Sequence, residues 1–172
     1  MTATSTRRQG TSILTVVLFA VYAVLLVCLV LFKFPFRYQL DSSGRDLNLI
    51  PFAGAFADSR LGIGEVVDNV LVFLPLGLYL SMLRTRWSTV RRILAVVGTS
   101  VAFEVIQYVF GIGRSDITDV ITNTLGGAIG IGIYAVTRRM LGIRTNRVLT
   151  VVELIATVVI LLFVGFLALH SR

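Results

Sequence analysis

Apolar residues gather along the chain in stretches of two kinds. Ile13 to Phe32 and Val148 to Leu169 are nearly free of polar residues, and each matches the roughly 20 residues with which an α-helix crosses a hydrocarbon core. Val66 to Leu83, Ile93 to Ile112 and Ile117 to Val136 are long enough but interrupted: by Asp68, Asn69 and Pro75, by Glu104 and Gln107, and by Asp119 and Asn123. The pattern predicts an all-α membrane protein, a bundle of about five transmembrane helices. A polar side chain is costly in a bilayer, so the three interrupted helices are where function is to be sought. The first stretch follows Arg7 and Arg8, as a secretory signal would. It outruns a signal core, however, and leads into Lys33, Phe34, Pro35 and Phe36 instead of small residues, so it reads as a retained helix.

Composition removes the soluble alternative. Of 172 residues, 56% are hydrophobic and 15% charged, and the mean hydropathy is +0.88, far from the soluble average. The net charge of +7 raises the question of nucleic acid, but the basic residues sit in connections between the apolar stretches and form no single basic face. Arg7 and Arg8 precede helix one; Arg84, Arg86, Arg91 and Arg92 join helices two and three; Arg138, Arg139, Arg144 and Arg147 join helices four and five. The positive-inside rule then puts the amino terminus in the cytoplasm and the carboxyl terminus outside. Cys28, in helix one, is the single cysteine, which excludes an intrachain disulfide and a cysteine metal site.

That orientation collects the polar residues. Helices two and four run inward and helix three outward, so Asp68, Asn69, Glu104, Gln107, Asp116, Asp119 and Asn123 all fall toward the outer leaflet. At 1.5 Å per residue, Glu104 and Asn123 lie roughly 9 Å below the external helix ends. The short connection from Gly111 to Asp116 makes helices three and four antiparallel neighbours turning near Gly113, which levels Glu104 with Asn123 and Gln107 with Asp119. Ser100, Glu104, Gln107, Tyr108 and Gly111 share a stripe of about 100° on helix three, and Asp116, Asp119, Asn123, Gly127 and Gly130 one of about 80° on helix four. Gly126 and Gly130 form a small-xxx-small pair suited to close packing below the cluster. Pro75 predicts a bend in helix two, either merely tolerated or shaping a cavity beneath Asp68 and Asn69. The apolar Leu47, Leu49, Ile50 and Phe52 place the preceding loop on the membrane or against the helix ends.

The residue types admit several chemistries. Carboxylates, amides and Arg114 could bind a polar head group, hold a divalent cation through Glu104, Asp116 and Asp119, or relay protons. Interhelical hydrogen bonding alone is a further reading of Glu104 and Asp119. His170 is the one histidine and sits near the chain end, and Cys28 has no adjacent base, so a nucleophilic triad is poorly supported. Glu153 reads as snorkelling or pairing with Arg147, Trp87 as an interfacial anchor, and Thr99, Ser100, Thr122 and Thr124 as satisfied on helix backbone.

Four ordered motifs resemble the VanZ-like family: Asn48-Leu49-Ile50-Pro51-Phe52; Asp68-Asn69 running to Phe73, Pro75 and Gly77; Glu104-Val105-Ile106-Gln107; and Gly113-Arg114-Ser115-Asp116 running through Asp119 and Asn123 to Gly126. The likeness covers Asn48 to about Tyr134. It implies a multi-pass protein of the bacterial plasma membrane, of the type named for a teicoplanin-resistance accessory protein, working at the cell envelope. It divides the chain into an anchor helix with the start of an external loop (1–47), a three-helix VanZ-like core (48–136), and a cytoplasmic loop with a last helix (137–172). The candidate binding residues are Asn48, Asn69, Glu104, Gln107, Arg114, Asp116, Asp119 and Asn123. The expected partner is a membrane lipid or lipid-linked envelope component, with no nucleic acid, no cofactor and no resident metal. A metal-assisted enzyme acting on a lipid phosphate and a small transporter or structural protein are the alternatives.

Overall fold

The computed structural model describes residues 12–31, 47–52, 59–111 and 115–170. Within them the chain forms helices α1 (Ile13–Leu31), α2 (Ser59–Leu83), α3 (Thr89–Phe110), α4 (Ile117–Leu141) and α5 (Thr145–His170). Two short extended segments, β1 (Leu47–Asn48) and β2 (Ser115–Asp116), pair in parallel, Leu47 opposite Ser115 and Asn48 opposite Asp116. Among the described residues 4 stretches are long and apolar enough to cross a membrane; the last, Ile117–Leu162, covers α4 and most of α5 across the turn Gly142–Arg144. The protein is thus an all-α membrane protein.

Helix ends follow local chemistry. Ser88 caps α3 by accepting from Arg91 N, and Gly111 closes it in the left-handed region at φ 64, its N–H returning to Gln107 O, the conformation glycine adopts without a Cβ clash. Asp116 caps α4 by accepting from Thr118 N, leaving an acid beside the positive end of the helix dipole. Helix α2 starts well before the apolar stretch that announced it, because its first turns are polar. It runs on through Pro75, and nearby the Tyr22 hydroxyl donates to Val72 O at 2.8 Å.

Helix α2 is the centre of the bundle. On one side Phe73, Leu76 and Tyr79 meet Leu18, Tyr22 and Leu26 of α1 and Val96 and Phe103 of α3; on another, Leu78 and Met82 meet Tyr134 of α4 and Leu149 of α5. Its third side carries the tightest seam. A Cβ added to Gly126 would fall on Val70 O, one on Gly130 on Leu74 O, and one on Gly77 on Gly127 O. From Val70 with Gly126 to Leu74 with Gly130 the contacts advance together along both helices, so α2 and α4 run parallel with small residues letting their backbones touch. Helix α3 runs antiparallel to α4, as the short connection required. At the opposite end Thr15 and Thr150 share a 2.9 Å hydrogen bond that ties α1 to α5. Glu153 does not pair with Arg147: it is buried and turned toward Tyr79.

Candidate functional site

The polar residues of α2, α3 and α4 converge at one end of the bundle, and β1 and β2 lie against them. Glu104, on α3, is buried and accepts with one oxygen, Oε2, from the Ser115 hydroxyl at 2.9 Å and from Asp116 N at 2.9 Å. Its carboxylate thereby fastens β2 to α3. The Asp116 side chain turns the other way, accepting from Thr118 N at 2.8 Å and from Asn48 Nδ2 at 2.9 Å. Asn48 in turn accepts from Ile50 N at 3.1 Å, and Phe52 N donates to Thr118 Oγ1 at 2.9 Å. The Asn48 to Phe52 segment is therefore stitched to the head of α4, with Leu49 and Ile50 exposed and Phe52 in the left-handed region at φ 60, a costly backbone state for a bulky residue.

One turn deeper, Asp119 accepts from Asn69 Nδ2 of α2 at 2.8 Å, and the same nitrogen reaches Thr122 Oγ1 at 3.2 Å. Asn123 donates to Ser100 Oγ of α3 at 2.9 Å. Gln107 Nε2 donates to Val30 O, the end of α1, at 2.9 Å. Gln107 is 0% and Asn123 3% exposed, and the remaining amide oxygens, Gln107 Oε1 and Asn123 Oδ1, have no hydrogen-bond partner among the described residues.

The structure brings together Asn48, Asn69, Glu104, Asp116, Asp119, Asn123 and Gln107, and shifts their expected register. Asn123 is level with Ser100 and Glu104 with β2, because the chain enters α4 through an extended segment lying at the depth of Glu104. Gln107, freed from Asp119, meets α1 instead. Tyr108 leaves the stripe and is 41% exposed. Arg114 lies outside the described residues. The oxygen set Glu104, Asp116 and Asp119 does not face one point: among the described residues no group of three acids, histidines or cysteines could hold a metal ion. Each of these carboxylates is turned to a different hydrogen-bond donor.

Comparison with known proteins agrees with the motifs carried by this cluster. The VanZ/LLP1 family model matches residues 19–138. The chain belongs to the VanZ/LLP1 family. It is also 36% identical over 149 residues, 85% of this chain and 89% of the relative, to Protein VanZ of Enterococcus faecium. No solved structure matches. The VanZ/LLP1 match begins inside α1 and ends near the close of α4, so it takes in the Val30 carbonyl that Gln107 uses as well as the cluster itself.

Around this VanZ/LLP1 cluster, sequence reasoning gave Ser115 and Thr118 no role and Thr122 only a place on its own helix backbone. Thr122 does donate to Thr118 O at 2.9 Å, as a helical threonine is expected to, yet its oxygen also serves Asn69. Thr99 and Thr124 stay on Ala95 O and Val120 O, the backbone role expected of them. Thr118 and Thr122, one turn apart on either side of Asp119, were the available signal.

Proposed function

We propose that this chain is a multi-pass protein of the bacterial plasma membrane whose polar cluster, in the outer leaflet, holds the polar group of a lipid or lipid-linked envelope component, and that it contributes through this site to glycopeptide (teicoplanin) resistance. The observation that carries the reading is the burial of Asn48, Glu104, Gln107, Asp119 and Asn123 together at one end of an otherwise apolar bundle. Well-packed apolar side chains would stabilise that end as well or better, so a polar core there argues for a role beyond packing. Family membership and the VanZ relative support the envelope setting. The arginines between α2 and α3 and between α4 and α5 lie at the far end from the cluster, and support its outward orientation.

Native mass spectrometry of the purified protein tests the binding. Wild type is expected to carry a co-purifying lipid, and Glu104→Gln and Asp119→Asn, which keep side-chain shape, to hold at least about tenfold less. Equal retention by all three removes the reading. A susceptible host is expected to tolerate more teicoplanin with the wild type than with Asp119→Asn. Orientation has its own check. A Gly113→Cys protein in a Cys28→Ala background should react with an impermeant thiol reagent on intact cells; reaction only after lysis would reverse the leaflet assignment.

A further inference from the structure

Resting on that head-group reading, we infer that the group received by the cluster is a hydrogen-bond donor, a primary ammonium, and not a phosphate. Each side-chain amide nitrogen of the described cluster already has a protein acceptor. Asn48 Nδ2 goes to Asp116, Asn69 Nδ2 to Asp119 and Thr122, Gln107 Nε2 to Val30 O, and Asn123 Nδ2 to Ser100. Ser115 Oγ and Asp116 N both serve Glu104, and Thr118 N serves Asp116. The cluster atoms left with no partner at all among the described residues are both acceptors, Gln107 Oε1 and Asn123 Oδ1, and both are buried.

The orientation of Gln107 is fixed by chemistry. Val30 O can only accept, so the amide nitrogen must face it, and the reversed side chain would set oxygen against oxygen. Asn123 is less constrained, because the Ser100 hydroxyl can donate or accept. Gln107 therefore carries the inference and Asn123 adds to it. A phosphate, all acceptor, could satisfy neither of these oxygens. An ammonium brings three N–H groups, and its charge also suits a stretch in which Glu104, Asp116 and Asp119 stand against the single cation Arg114. Both free oxygens are closed to solvent, so entry requires local opening.

A head-group series decides it on the wild type. Phosphatidylethanolamine, its N-methyl and N,N-dimethyl forms and phosphatidylcholine keep the phosphate and lower the N–H count from three to none. Retention by the full chain in detergent, read by native mass spectrometry, is expected to fall along the series, by about tenfold or more between its ends. In Gln107→Met the gradient should flatten, while in Gly98→Ala, where an added methyl meets nothing within 4 Å, it should persist. Soluble glycerophosphoethanolamine separates the sources of the ammonium. Competition by it upholds the site with a water-borne ligand, and lack of competition beside a steep lipid series upholds it with a bilayer ligand. Equal retention of ethanolamine and choline lipids, or phosphatidic acid bound as well as either, overturns the ammonium. If Glu104→Gln still lowers retention of both lipids, the head-group reading survives that result; if it does not, both fall.

Discussion

Gly77→Ala, Gly126→Ala and Gly130→Ala are each expected to cost about 3 kcal/mol, while Gly98→Ala and Gly132→Ala leave the protein as stable as the wild type or up to about 1 kcal/mol more so. The chemical change is the same in all five, and only the surroundings differ. In a helix, alanine gains on glycine by restricting the unfolded chain. At Gly98 and Gly132 nothing lies within 4 Å of the new methyl, so that gain stands alone. At Gly77, Gly126 and Gly130 the methyl falls on a carbonyl oxygen of the facing helix. A carbonyl is tied into its own helix and cannot swing aside as a side chain does, so α2 and α4 must part along the whole seam. Gly127 is the intermediate case. Its methyl would meet Val96 Cγ1 at 2.6 Å, and a valine can move at smaller cost. Thermal unfolding in detergent measures the series, and equal midpoints for the seam glycines and the two open ones would refute the seam.

The same seam shows where the sequence was readable. The pair Gly126 and Gly130 announced a close approach, because small residues four apart leave a flat face whatever packs on it. It did not announce the partner: the antiparallel neighbour α3 was the local choice, and the closest contact is with α2, parallel and distant in sequence. The start of α1 fell on the first residue of the apolar stretch, since nothing polar blurs it, whereas α2 is already helical at Ser59, which hydropathy missed because residues such as Arg60 and Glu65 interrupt the apolar run. The membership of the cluster was legible because polar residues stand out in apolar helices. Its register was not. That depends on β2 pairing with β1, contributed by a connection far back in the chain, and on Gln107 finding Val30 O. A backbone carbonyl at the end of a uniformly apolar helix leaves no mark in the residue types.

Glu104→Ala should destabilise the protein by about 3 kcal/mol and Glu104→Gln by roughly half as much. In the wild type one carboxylate oxygen accepts from both the Ser115 hydroxyl and Asp116 N. Alanine strands Asp116 N and leaves the Ser115 hydroxyl only its longer 3.4 Å bond to Glu104 O, at about 1 to 3 kcal/mol for each group that loses its acceptor. Glutamine keeps a carbonyl oxygen at the same reach and loses the charge that strengthens both bonds. The effect should spread in a defined order. Asp116 caps α4 through Thr118 N and holds Asn48, so release of β2 loosens the cap, then β1, then the Ile50 and Phe52 amides. Hydrogen exchange at Asp116, Thr118, Ile50 and Phe52 is expected to quicken at least about tenfold in Glu104→Ala, with the Gly126 to Gly130 amides unchanged, because the seam has its own packing. Ser115→Ala removes one of the two bonds and keeps the other, so a double-mutant cycle with Glu104→Gln should show a coupling of about 1 kcal/mol. If the amides above α4 stay protected in Glu104→Ala, the carboxylate does not fasten that segment. Its burial would then have to be explained by what it binds alone.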